Sequence, residues 1–273
     1  MSVTGAGSPL RAPRKRLRIL RIVALAIGAW LVLAYFLLPL AWRHYEHEPG
    51  LAQVPMVTRN AQGIPGDPIN VALVGSEGEL EGALRLAGWT RAVALSLGSD
   101  LAIADSVVLD RPDKDAPVSD LFLFGRRQDL AFEKEVGESA DRRHHVRFWR
   151  SPVAGARPLW IGSATFDRSS GLSRTTGQIT HHIAADVDAD RDGLMEDLAR
   201  AGQLSTLFSV TGVGPTLDGH NAGGDRYYTD GEMWVGVLTL GNAVHAGPPE
   251  RLADPLAVQA KDRVWSLLRP LLD

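Results

Sequence analysis

The chain has 273 residues, 45% of them hydrophobic and 22% charged, with a formal net charge of −3 at pH 7. It therefore has enough apolar residues for a folded core, and its near-neutral balance excludes both a disordered polyampholyte and a broadly basic nucleic-acid-binding surface. Cysteine is absent, which excludes disulfides, thiolate-held zinc, iron–sulfur clusters and thiol catalysis.

Residues 1–21 form a basic arm that carries Arg11, Arg14, Lys15, Arg16, Arg18 and Arg21, and residues 22–42 follow without a charge. About 21 residues make roughly 31 Å of helix, the thickness of a bilayer core, so the pattern predicts a transmembrane helix. Trp42 and Tyr45 fall where an interfacial aromatic belt would lie. The run exceeds the ~7–15 residues of a signal-peptide core and no small-x-small pair closes it, which favours an anchor over a cleaved leader. Arg43 follows the run among Glu46 and Glu48. The positive-inside rule then puts the basic arm in the cytoplasm, the span in the inner (cytoplasmic) membrane and the bulk of the chain on the periplasmic, extracytoplasmic side. No later stretch is long and apolar enough for a second span.

Residues 43–66 are punctuated by Gly and Pro and read as a linker, with the globular domain starting at Asp67 and running to residue 273. Residues 69–74 read as a short buried strand leading into a helix. Ser76 and Glu79 form a capping box, Leu80, Ala83, Leu84 and Ala87 repeat at helical spacing, and Gly88 supplies the stop. A second helix is expected over residues 100–108 and a turn over residues 115–118. Residues 121–125, 129–136, 146–149, 159–166, 207–213 and 233–240 read as strands separated by polar turns. A last helix runs to Leu268, with Asp254 as its cap, Pro255 in its first turn and Leu256, Ala260, Val264, Leu267 and Leu268 as its apolar residues. The fold class is α+β, a mixed sheet with flanking helices, behind one N-terminal transmembrane helix. No phosphate-cradling glycine pattern, H-E-x-x-H or G-x-S-x-G is present, which argues against nucleotide binding, a zincin and an α/β-type serine hydrolase.

Several segments together resemble one family, the C-terminal domain of LssY-like proteins. They are Asp67-Pro-Ile-Asn-Val-Ala-Leu-Val-Gly75, Ala87-Gly-Trp89, the run from Ala116 to Phe132 that contains Leu-Phe-Leu-Phe-Gly-Arg-Arg-Gln-Asp, Arg142-Arg-His-His-Val-Arg-Phe-Trp149, Trp160-Ile-Gly162, Thr180-His-His-Ile183 and Tyr227-Tyr-Thr-Asp-Gly231. The resemblance spans residues 67 to 240 and makes residues 67–273 an LssY-like domain. It implies an envelope or lipid context, with a link to type I secretion and partners among envelope or secretion components, and it implies no established reaction. Similar domains often sit beside membrane phosphatase or DedA-type domains. Here the domain stands behind one span, so the chemistry of such neighbours does not carry over.

Four groups of residues could carry chemistry. The acidic ladder from Asp186 to Asp197 approximates a calcium loop, but each register fails at one position: Ala199 stands at the closing carboxylate, or Arg191 at the glycine. The ladder also reads as the acidic start of a helix. The doublets His144-His145 and His181-His182 alternate faces if they lie on strands, so one histidine from each, with Asp167, Asp186 or Asp188, could hold a divalent transition metal (zinc, manganese or iron) for a hydrolytic reaction on phosphoester or lipid-derived substrates. Equally they could be structural strand histidines in a non-catalytic, membrane-proximal binding module. Arg126 and Gln128 follow an apolar strand and could bind an anion, or guard a sheet edge. The segment from His220 to Asp230, with Asp225, Tyr228 and Asp230, is either a binding loop or a solvated hairpin connection.

Overall fold

In the computed structural model, which describes residues 14–37, 54–92, 120–137, 142–153, 155–177, 179–211 and 218–272, the chain divides into two units, Met1–His47 and Glu48–Asp273. In the first, helix α1 (Arg14–Val32) passes into a π-helical turn at Leu33–Leu37. Leu17–Leu37, 21 residues, is long and apolar enough to cross a membrane, and among the described residues no other helix is. The helix begins inside the basic arm because arginine, lysine and leucine are strong helix formers and nothing there breaks the turn. The helix expected over residues 100–108 and the turn over residues 115–118 lie outside the described residues.

The second unit opens with β1 (Val57–Arg59), β2 (Pro65–Pro68), β3 (Val71–Val74), α2 (Glu77–Leu86) and β4 (Thr90–Arg91), followed by β5 (Phe122–Leu123), β6 (Arg126–Arg127), β7 (Leu130–Glu135), β8 (Arg143–Arg150), β9 (Leu159–Leu172) and β10 (Ile179–Ile183). Then come α3 (Val187–Arg200), β11 (Leu204–Thr211), β12 (Asp218–His220), β13 (Arg226–Tyr228), β14 (Glu232–Leu238), β15 (Glu250–Arg251) and α4 (Leu256–Leu268). Among the described residues, nine strands form one sheet in the order β15-β11-β14-β3-β9-β8-β7-β4, with β10 also against β9. β14 is parallel to β3 and β15 to β11, while β7, β8, β9 and β10 pair antiparallel. This is the mixed sheet with helices that the α+β pattern predicts.

Helix α2 starts where the sequence places it. Ser76 Oγ accepts from the Glu79 backbone N–H at 3.3 Å and Glu79 Oε2 accepts from the Ser76 N–H at 2.8 Å, so two otherwise orphaned donors are satisfied. Glu79 also accepts from the Gly241 N–H and from Arg157. These bonds, that of Gly241 foremost, hold its carboxyl down to about 2. On one side of the sheet Val71, Leu73, Val146, Phe148 and Ala164 pack with Leu80 and Leu84 of α2 and Leu194, Met195 and Leu198 of α3. Each fully buried aliphatic side chain contributes about 1.5–3 kcal/mol there. Ala72, Trp149, Ile161, Met233 and Val235 form a second apolar cluster with Val54, Ile69, Leu121 and Leu123, so the sheet is buried on both faces.

Two expectations are corrected. The segment read as a linker supplies β1 and β2, paired antiparallel with Val57 opposite Pro68. Its prolines are tolerated because β2 is an edge strand that needs few donors. At the other end, Asp254 does not cap α4: it accepts from Ser209 Oγ at 2.7 Å, and Pro255 occupies the cap. Leu256, Val264, Leu267 and Leu268 of α4 are exposed, and the helix is held instead by Val258, by Lys261 on Glu232 and by Trp265 near Tyr228.

Candidate functional site

On β8, alternation sends His144, Val146 and Phe148 to the helix side and Arg143, His145, Arg147 and Trp149 to the other. The antiparallel register sets Arg143 opposite Asp167, His145 opposite Thr165 and Arg147 opposite Ser163 on β9. One sheet face thus runs from apolar, at Trp149 and Ile161, into a buried polar ladder. Beyond it β9 pairs with β10, where His182 faces Ser169 and Ile183 faces Asp167. Arg168 is left over between those two pairs, a bulge that re-aims the end of the strand.

His145, Arg147 and Asp167 of the ladder line a cavity of about 410 Å³, with Asp67 of β2, Thr180 and His181 of β10, and Asn221 of the loop after β12. That volume suits a small molecule. Asp67 Oδ2 accepts from Arg147 Nη1 at 3.3 Å and Oδ1 from Asn221 Nδ2 at 3.1 Å, so three segments distant in sequence close on one another. Asp167 is nearly inaccessible, its side chain 1% exposed. Its Oδ2 lies 3.0 Å from His145 Nδ1 and 3.5 Å from Arg143 Nε, while its Oδ1 accepts no hydrogen bond among the described residues. Burial opposes ionisation of this carboxyl, but the adjacent His145, His181 and Arg143 outweigh it and hold the group well below the usual carboxylate range.

The arginines fix the histidine tautomers. Arg147 Nη1 and Thr165 Oγ1 both contact His145 Nε2. A guanidinium can only donate, so Nε2 presents its lone pair and the ring proton sits on Nδ1, which lies 3.0 Å from Asp167 Oδ2 without hydrogen-bond geometry. Arg143 Nη2 likewise meets His181 Nε2 at 3.3 Å, which leaves the His181 proton on Nδ1. Burial, with Arg143 adding to it and Asp167 opposing, pushes His181 down to about 4. Arg143 itself also donates to Glu133 at 3.0 Å.

Of the residues singled out from sequence, His145, His181 and Asp167 meet at this cavity; the others are held elsewhere. His144 bonds Asp190 at 2.5 Å on the helix side, and His182 Nδ1 bonds Asp225 at 2.9 and 3.0 Å. Asp186 caps α3 and pairs with Arg269 at 2.6 Å. Asp188 accepts from Thr229 and from the Asp230 N–H, each at 2.7 Å, and burial raises it to about 6. The ladder of aspartates lies within α3, so no loop wraps an ion there. Among the described residues no three His, Asp or Glu side chains are grouped as metal ligands would be.

Arg126 forks onto Asp129 at 3.2 and 2.8 Å, and Gln128 closes its own hairpin through the Leu121 N–H and Asp120. Phe124 and Gly125, both at positive φ, form the tight turn of that hairpin. Asp225, Tyr228 and Asp230 are buried rather than presented on a lid; Asp230 grips Arg191 at 2.7 and 2.9 Å. The same loop reaches the cavity through Asn221, Ala222 and Gly223. Asp67 and Arg147 are not among the residues expected from the sequence, while Asn221 lies in the His220–Asp230 segment read there as a binding loop or a hairpin connection. Arg147 carries a signal, since it stands two residues from His145 on the same strand face; Asp67 carries none.

A family model described as the LssY C-terminus matches residues 51–233, from just before β1 into β14, and so takes in every cavity residue named above. Searches among curated proteins and among solved structures give no match. The match covers more than half of the 273 residues, it begins with the strands that carry Asp67, and it agrees with the segments noted in the sequence: this chain belongs to the LssY C-terminus family.

Proposed function

We propose that this chain is a single-pass, membrane-anchored envelope protein whose LssY-like domain stands on the extracytoplasmic side and binds a polar ligand in the Asp167 cavity, as a non-catalytic component of lipid handling or type I secretion. The observation that carries the binding reading is the pair of arginine-engaged histidines. Each has its lone pair turned onto a guanidinium, so neither offers the cavity the free base that proton abstraction or metal ligation needs. The basic arm, residues 1–21, ahead of the uncharged run supports the orientation. A periplasmic phosphatase reporter fused after Asp273 tests it in intact cells: activity is expected, and an inactive, stably expressed fusion overturns it.

A metal-dependent hydrolase of phosphoester or lipid-derived substrates is the second reading, favoured by the convergence of His145, His181 and Asp167 on one cavity. Elemental analysis of the purified full chain beside His145→Ala and His181→Ala separates the two. Stoichiometric zinc, manganese or iron that both substitutions remove would replace the binding reading with the hydrolase.

A further inference from the structure

We infer that the cavity ligand is an organic cation, a primary amine or ammonium group seated against Asp167. This rests on the reading that the cavity binds a polar ligand. Among the described residues its lining carries Asp67, Asp120 and Asp167 against one arginine, Arg147, with Arg143 behind Asp167, and both histidines meet an arginine through Nε2. Asp67 is answered by Arg147 and Asn221, and Asp120 by Arg127 at 2.9 Å and Gln128 at 3.1 Å.

Asp167 differs. Its Oδ2 shares Arg143 with Glu133, and among the described residues its Oδ1 has no donor although the side chain is almost wholly enclosed. A buried ionised oxygen without a donor is rare in native proteins and strongly unfavourable. An ammonium supplies the missing hydrogen bond in the charge-assisted form that is the stronger kind. A neutral polyol supplies a weaker, uncharged one. An anion meets three carboxylates. A transition metal would need imidazole lone pairs that Arg143 and Arg147 already hold.

The test uses the full chain in neutral detergent with labelled histidine, and three probes of one size and different charge: ethanolamine, ethylene glycol and glycolate. Ethanolamine is expected to shift the His181 ring resonances saturably, at least about tenfold more tightly than ethylene glycol, with no response to glycolate. Asp167→Asn is expected to lose about tenfold or more of the ethanolamine affinity. Should that variant fail to fold, the charge series on the unaltered chain still decides. Glycolate or inorganic phosphate binding at these resonances, ethylene glycol matching ethanolamine, or zinc chloride outcompeting ethanolamine there each overturns the cation while leaving a ligand cavity in place. No response to any probe overturns both.

Two further arms identify the source. A His181 shift in nanodiscs of phosphatidylethanolamine but not phosphatidylglycerol, without added probe, assigns the amine to a lipid headgroup. A shift only on adding free ethanolamine assigns it to a soluble amine.

Discussion

His181→Gln isolates the electrostatic design of the cavity. Burial, then Arg143, hold the His181 ring at about 4 against 6.5 in the unfolded chain. As pH falls through 6.5 the unfolded chain takes up a proton that the folded chain refuses until about 4, so this histidine costs stability progressively across that window and no further below it. At ~1.4 kcal/mol per unit the full window is worth on the order of 3 kcal/mol, and the part between about pH 7 and pH 5 about 2 kcal/mol. Glutamine keeps an acceptor for Arg143 and does not titrate. Urea denaturation of the full chain in detergent, followed by tryptophan fluorescence, is expected to show the variant gaining about 2 kcal/mol on the unaltered protein between about pH 7 and pH 5. Asp188 and Glu232, raised by burial to about 6 and about 7, act in the opposite sense, but they are common to both proteins and cancel in the difference. Parallel stability curves for the two proteins would refute the assignment of His181 as a ring kept neutral by burial and Arg143.

Three other substitutions probe the frame around the cavity. Asn70 Nδ2 donates to the Ala164 and Val187 carbonyls at 2.9 and 3.1 Å and Oδ1 accepts from the Ala164 N–H at 2.8 Å, so Asn70→Ala should cost about 2–4 kcal/mol, read as a lower urea midpoint at unchanged slope. A Cβ on Gly162 would lie 2.8 Å from the Arg147 carbonyl and from the Phe148 ring, and Gly162→Ala should cost about 1–3 kcal/mol in the same assay. Arg191→Met strips the cation from buried Asp188 and Asp230 and should cost about 3–5 kcal/mol near pH 7, partly recovered near pH 5 as Asp188, which burial already raises to about 6, takes up a proton.

The parts of the fold that follow from local rules were legible in the sequence. Ser76 and Glu79 announced α2 because a capping box is a contact between residues three apart, and short apolar runs between polar turns announced β8 and β9. The apolar run announced a helix long enough to cross a membrane. What failed depended on partners far along the chain. Residues 57–68, with Gly63, Pro65, Gly66 and Pro68 among them, form strands because β5 offers β1 an antiparallel partner, Phe122 against Arg59. The leucines of α4 stay outside because Lys261, Trp265 and Val258 dock the opposite side of the helix, a choice made by Glu232 and Tyr228.

The histidines show the same division at the level of chemistry. Period-two alternation separated His144 from His145 and His181 from His182, and that separation is real: the four rings meet Asp190, Asp167, Arg143 and Asp225 respectively. Alternation alone, however, counts a histidine as a candidate ligand or base without saying which way its lone pair faces. That is decided by the donors around it. Arg147 stands two positions beyond His145 and Arg143 two before it, the spacing that puts all three on one face of β8, so the sequence already held the reason that His145 offers Nδ1–H rather than a free nitrogen. Arg143 then reaches His181 because β8 and β10 flank β9 at Asp167, where Arg143 and Ile183 pair with the same residue from opposite sides. The chemistry of the cavity is therefore set by Arg143 and Arg147, which occupy the lone pairs of two rings that look like ligands and leave Asp167 with an oxygen to spare.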